Sequence, residues 1–100
     1  MKYKIIWSET FENQLKNILL YIIDNFSYHS ANKYRKFLED QLMTLELLPH
    51  RGKEIKLTET KKHLYLVSKQ NIIIYRVDEE NKAVHLLYIA SANENYLNLL

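Results

Sequence analysis

Three apolar runs dominate the second half of the chain: His63-Leu64-Tyr65-Leu66-Val67-Ser68, Asn71-Ile72-Ile73-Ile74-Tyr75-Arg76-Val77 and Ala83-Val84-His85-Leu86-Leu87-Tyr88-Ile89-Ala90. Each is rich in β-branched and aromatic residues, and short polar breaks at Lys69-Gln70 and Asp78 to Lys82 separate them. The pattern predicts two successive hairpins in an antiparallel meander.

Upstream the period changes. Tyr3 to Trp7 alternates as a strand, with Tyr3, Ile5 and Trp7 on one face. Ser8 ends it and, with Glu9 behind it, starts a helix: the hydroxyl accepts from free backbone N–H groups and the carboxylate sits at the positive end of the helix dipole. Phe11, Leu15, Ile18, Ile22 and Phe26 form one apolar stripe. The chain turns after Asp24-Asn25-Phe26, Ser27 or Ser30 caps again, and Ala31, Tyr34, Leu38, Leu42, Leu45 and Leu48 make a second stripe that ends at Pro49. Helices joined this closely are antiparallel, and their shared apolar face has only the later strands to lie against. The expected fold is α+β in two layers: an N-terminal strand, an antiparallel helical hairpin and a three-stranded antiparallel meander (β-α-α-β-β-β), with a short C-terminal tail helix. Ile72, Ile73 and Ile74 in succession predict a central strand covered on both faces, the far face by the tail or by a partner chain.

One hundred residues with 47% hydrophobic positions, one Gly and one Pro read as a single domain over 1–100 without linkers. The absence of cysteine excludes disulfides and thiolate metal sites. The longest apolar cluster, Ile18 to Ile23, falls far short of the roughly 20 residues needed to cross a bilayer. The opening segment does not read as a signal peptide. The expectation is a cytoplasmic protein without membrane contact.

Charge is unevenly placed. The net +2 conceals six bases and six acids in 1–50, seven bases and two acids in 51–76, and one base and four acids in 77–100. Arg51, Lys53, Lys56, Lys61 and Lys62 lead the basic stretch and are the candidate residues for binding nucleic acid or an acidic target. The bland alternative is a solvated loop of lysines.

Nothing in the chain matches a glycine-rich phosphate loop, HExxH or GxSxG, and no two histidines stand at metal-binding helical spacing. No metal or cofactor is expected. His85 alternates with apolar neighbours and reads as a half-exposed sheet residue before a general base, and Asp78-Glu79-Glu80 reads as a solvated hairpin turn. The eight tyrosines fit core and rim positions, with partner contact as the second use. Tyr65, Tyr75 and Tyr88 would serve as stacking aromatics in a small RNA-binding domain, but with Ile73 and Leu87 beside them that surface is apolar enough to favour a protein partner. Tyr75, Leu87 and Tyr88 are therefore the candidate partner-binding residues.

The opening KIIWSETFENQLKNILLYI, the second helix closing on LELLPHRGKEI and the strand pair IIIYRVDEENKAVHLLYIA resemble, in this order, the RelE/ParE superfamily of bacterial toxins. Tyr75-Arg76-Val77-Asp78 followed by a further strand is the most specific piece. The resemblance implies the toxin of a type II toxin–antitoxin pair, held inactive by a small antitoxin whose tail wraps it. One branch of that superfamily cuts mRNA on the ribosome and needs an acid, a base and cations against the phosphate. Where its members carry an arginine at the start of the central strand this chain has Asn71 or Ile72, and after the last strand it has Ala90-Ser91-Ala92-Asn93. His63, Lys56 and the tail residue Tyr96 are the weak catalytic candidates that remain. The other branch, ParE-like, binds DNA gyrase and needs no such set, so the sequence leans towards it. A toxin-like module that binds a partner without activity is the third reading.

Overall fold

Ser8 decides where the first strand stops. The computed structural model describes residues 2–56 and 62–91, the side chains of Lys56 and Lys62 excepted. In it β1 (Lys4–Trp7) gives way at Ser8, whose Oγ accepts from the backbone N–H of Phe11 at 3.0 Å and starts α1 (Glu9–Asn25). The same hydroxyl donates to the Leu87 carbonyl at 3.1 Å, so the cap also fastens α1 to the last strand. Ser27, rather than Ser30, caps α2 (Tyr28–Met43), accepting from the Ser30 N–H at 3.0 Å. A single 3-10 turn follows at Thr44–Glu46.

The meander is present as β3 (Lys62–Ser68), β4 (Asn71–Asp78) and β5 (Ala83–Ser91). The basic stretch adds one more strand than the sequence suggested, β2 (Lys53–Lys56), paired antiparallel with β3. Five strands run in the order β1-β5-β4-β3-β2, with β1 parallel to β5 and the other pairs antiparallel. The proposed tail helix lies outside the described residues.

The core lies between the helical hairpin and one sheet face. Phe11, Leu15, Tyr34, Leu38, Leu42 and Leu45 meet Leu64, Leu66, Ile73, Tyr75, Val84, Leu86 and Ile89 there. Tyr3, Ile5 and Trp7 join them from β1, and Trp7 meets the Phe11 ring edge-on at 5.1 Å between centroids. Both helical stripes run out before their ends: Phe26 and Leu48 are exposed. Phe26 is already the C-terminal cap of α1, and Leu48 lies beyond the 3-10 turn, where helical phase no longer carries it to the sheet.

A bulge breaks the alternation on β5. Its register to β4 slips between Tyr75, opposite Leu86, and Ile74, opposite Tyr88, leaving Leu87 without a partner. Val84, Leu86 and Ile89 therefore face the helices, and Tyr88 turns to the outer face. The succession Ile73-Ile74 is buried on both sides, as the run of three isoleucines predicted, with Ile74 set between Tyr65 and Tyr88 of the neighbouring strands.

Leu86 is 0% exposed and Leu87 half-buried. Leu86→Ala is expected to lower unfolding free energy by about 2–5 kcal/mol, and Leu87→Ala by less. Urea titrations of the two variants check this, and an equal or larger loss at Leu87 would contradict the bulge.

Candidate functional site

Tyr75 carries the basic segment. Its ring is in the core, and burial pushes its hydroxyl pKa up, so the group stays protonated and donates to the Pro49 carbonyl at 2.8 Å. The same oxygen accepts from the Gly52 N–H at 2.9 Å. Gly52 is required by space: a Cβ there would stand 2.6 Å from the Tyr75 hydroxyl and 2.8 Å from the Tyr65 carbonyl. Arg51 is exposed between these anchors and donates to the Thr44 hydroxyl, while Lys53 opens β2 opposite Tyr65 with its side chain exposed.

This arrangement corrects one expectation. Tyr75 has no surface to offer a partner, because it occupies the helix-facing side of β4. Tyr88 is on the outer face and 37% exposed, and Leu87 is half-buried at the bulge. The outer face brings Lys53 and Tyr65 together with the half-buried His63, residues that the sequence had assigned to different roles. Lys61 and Tyr96 lie outside the described residues, as do the side chains of Lys56 and Lys62.

Beside the basic segment a second cluster forms on Glu79. Tyr3 donates its hydroxyl at 2.7 Å, Lys82 its ammonium at 3.2 Å, and His50 Nε2 lies 2.5 Å from the other carboxylate oxygen. Led by the Tyr3 bond, these contacts hold the Glu79 pKa down to about 2. The next residue back, Asp78, is held to about 2 chiefly by the side-chain and backbone N–H groups of Asn81. The acidic turn therefore ties the start of the chain and the 49–52 segment to the β4–β5 hairpin.

An open groove of about 570 Å³, which residue patterns do not reveal, lies between α1 and the ends of β4 and β5, lined by Ile18, Tyr21, Ile22, Phe26, Ile89 and Gln14 among others. Gln14 Oε1 accepts there from the Ile89 N–H at 2.9 Å, beyond the point where β1 has ended. The groove's signal in the sequence is the pair of aromatics, Tyr21 and Phe26, near the tip of the helical hairpin, where Phe26 continues the apolar stripe of α1 but lines the groove instead of the core. Among the described residues no group of His, Asp and Glu side chains is placed to hold a metal ion, and no helix is long and apolar enough to cross a membrane.

The arrangement is that of a small toxin fold. It is similar to a chromosomal ParDE toxin–antitoxin protein from P. aeruginosa (16% identity, 90% of this chain and 96% of that chain, TM-score 0.73). It is also similar to free E. coli RelE carrying two substitutions (14%, 99% and 93%, TM-score 0.66) and to a chain of a RelBE toxin–antitoxin complex from Mycobacterium tuberculosis (18%, 91% and 99%, TM-score 0.60). No curated protein matches the sequence. The profile of the ParE toxin of the type II toxin–antitoxin system parDE matches residues 5–96, and the chain belongs to this family.

Tyr75→Phe removes the hydroxyl and leaves two backbone groups without their partner, a loss of about 1–3 kcal/mol expected in denaturant titrations, with faster amide exchange at Gly52. Unchanged exchange there would contradict the anchoring role.

Asp78 and Glu79 both ionise more readily in the folded chain, so their contribution is present above the ordinary carboxylate range and is lost as pH falls from about 4.5 towards 2. Thermal unfolding of the wild type should show that loss, and Glu79→Gln should flatten part of it. Added salt should weaken the Glu79 share of the effect, because that side chain is 51% exposed.

Proposed function

We propose that this toxin arrests growth by binding DNA gyrase and is neutralised by a cognate antitoxin. Membership of the ParE family over residues 5–96 is the observation that carries the reading. The start of β4 supports it. Asn71, where resemblance to the ribonuclease branch calls for an arginine, spends its amide on the Tyr34 hydroxyl at 2.6 Å, and Ile72 beside it is apolar. Neither can clamp a phosphate. The surface offered to the target is the pinned basic segment, with Arg51 and Lys53 exposed, and the antitoxin's role is to cover what the toxin leaves bare.

The ribonuclease reading keeps one specific observation in its favour: Lys53, His63 and Tyr65 share the outer face of β2 and β3, a cation, an imidazole and a stacking ring in one place. A host induced to express the chain distinguishes the two. Growth arrest with intact mRNA and disturbed plasmid supercoiling is expected. Arrest with codon-spaced mRNA cuts would establish the nuclease, and unimpaired growth would leave an inactive partner-binding module.

A further inference from the structure

The outer sheet face carries a second group of charged residues, at the end of β4 away from Asn71. Strand pairing fixes it. His85 on β5 lies opposite Arg76 on β4 and Ile6 on β1, and in the adjacent row Ala83 lies opposite Asp78 and Lys4. Lys4, Ile6, Arg76 and His85 alternate with core-facing neighbours and so point to the same side. Between them lies Ala83, small and fully buried.

The charges here are unequally matched. Asp78 Oδ2 lies 3.4 Å from His85 Nε2, and both side chains are largely buried, at 16% and 25% exposed. Asp78 is further committed to Asn81 through both oxygens. The carboxylate thus orients the imidazole and leaves its other nitrogen for a ligand or solvent. Arg76 and Lys4 are exposed, and neither forms an ion pair among the described residues. Lys4 on β1 and Arg76 on β4 flank β5, two strand spacings or roughly 10 Å apart and in adjacent rows, so their long side chains reach a shared anion by converging over His85, with Asp78 also attracting Arg76. The guanidinium supplies paired donors to two oxygens, the ammonium a point charge, and the imidazole, when protonated, a directional Nδ1–H donor, because its Nε2–H faces Asp78.

We propose that Lys4, Arg76 and His85 form a phosphate-binding site, with Asp78 as the positioning residue for His85. The ligand is a phosphate group, either free or carried on a nucleic-acid backbone. The site is distinct from the 49–56 segment: it is built from β1, β4 and β5, and it sets Arg76, from the basic stretch of the sequence, across β5 from Lys4, some seventy positions away. It also gives a use to His85, which the toxin reading leaves idle.

The test is a ¹H–¹⁵N correlation titration of the full chain at low ionic strength, with inorganic phosphate in one arm and a short single-stranded RNA in the other, and chloride at matched ionic strength as the control. Saturable shifts centred on Lys4, Ala83 and His85 are expected with phosphate. Arg76→Gln, an exposed change that spares the core, should weaken binding about tenfold or more, and His85→Gln should weaken it less. Tighter binding of the RNA, with the same residues shifting, would assign the site to a nucleic-acid backbone; equal or weaker binding would assign it to a free anion. No shifts in either arm, or shifts at Arg51 and Lys53 that survive Arg76→Gln, would overturn the proposal.

Discussion

One hydroxyl group joins the two halves of this molecule. Tyr75 places its ring against the helical hairpin and its oxygen between the Pro49 carbonyl and the Gly52 N–H, so the packing of the core and the path of the basic segment are a single constraint. The bond to the Pro49 carbonyl is buried and that to the Gly52 N–H half-buried, and losing them would leave both backbone groups without their partner, which makes the connection costly to break. Lys53 then starts β2 at a fixed place, and the sheet gains an edge strand whose outward charges discourage pairing with a further strand.

A second constraint comes from register. The slip at Leu87 rotates the end of β5 by one residue, placing Ile89 against the helices and Tyr88 outside. This decides which face each tyrosine serves. Simple alternation puts Val84, Leu86 and Tyr88 on one side, and it would have buried Tyr88 and exposed Ile89. One inserted residue therefore sets the composition of the outer face, where Tyr65, Tyr88, His63, His85 and Arg76 gather beyond the core.

Much of this was legible beforehand, for reasons that are local. Ser8 and Ser27 announce helix starts because a hydroxyl has few better uses there, and Phe11, Leu15, Leu38 and Leu42 repeat at the helical period because one face is buried. The run of three isoleucines announces a strand covered on both faces. What escaped was non-local. Nothing near Lys53 reveals that it will pair with Tyr65, and nothing near Tyr75 distinguishes a ring in the core from a ring at an interface. The site suffered most from this. The sequence found the basic segment, but only tertiary pairing brings Glu79 to Tyr3 and His50, or Lys4 to the same sheet face as His85.

The apolar start of β4 and the engaged Asn71 amide leave that end of the strand without a phosphate clamp, while the pinned cationic segment and the open groove beside α1 lie exposed. The most direct measurement is titration of the purified chain into a DNA gyrase supercoiling reaction. A binding toxin should inhibit at amounts comparable with the enzyme, and supercoiling should return when the antitoxin is added. Full supercoiling activity with the toxin in large excess would contradict the account.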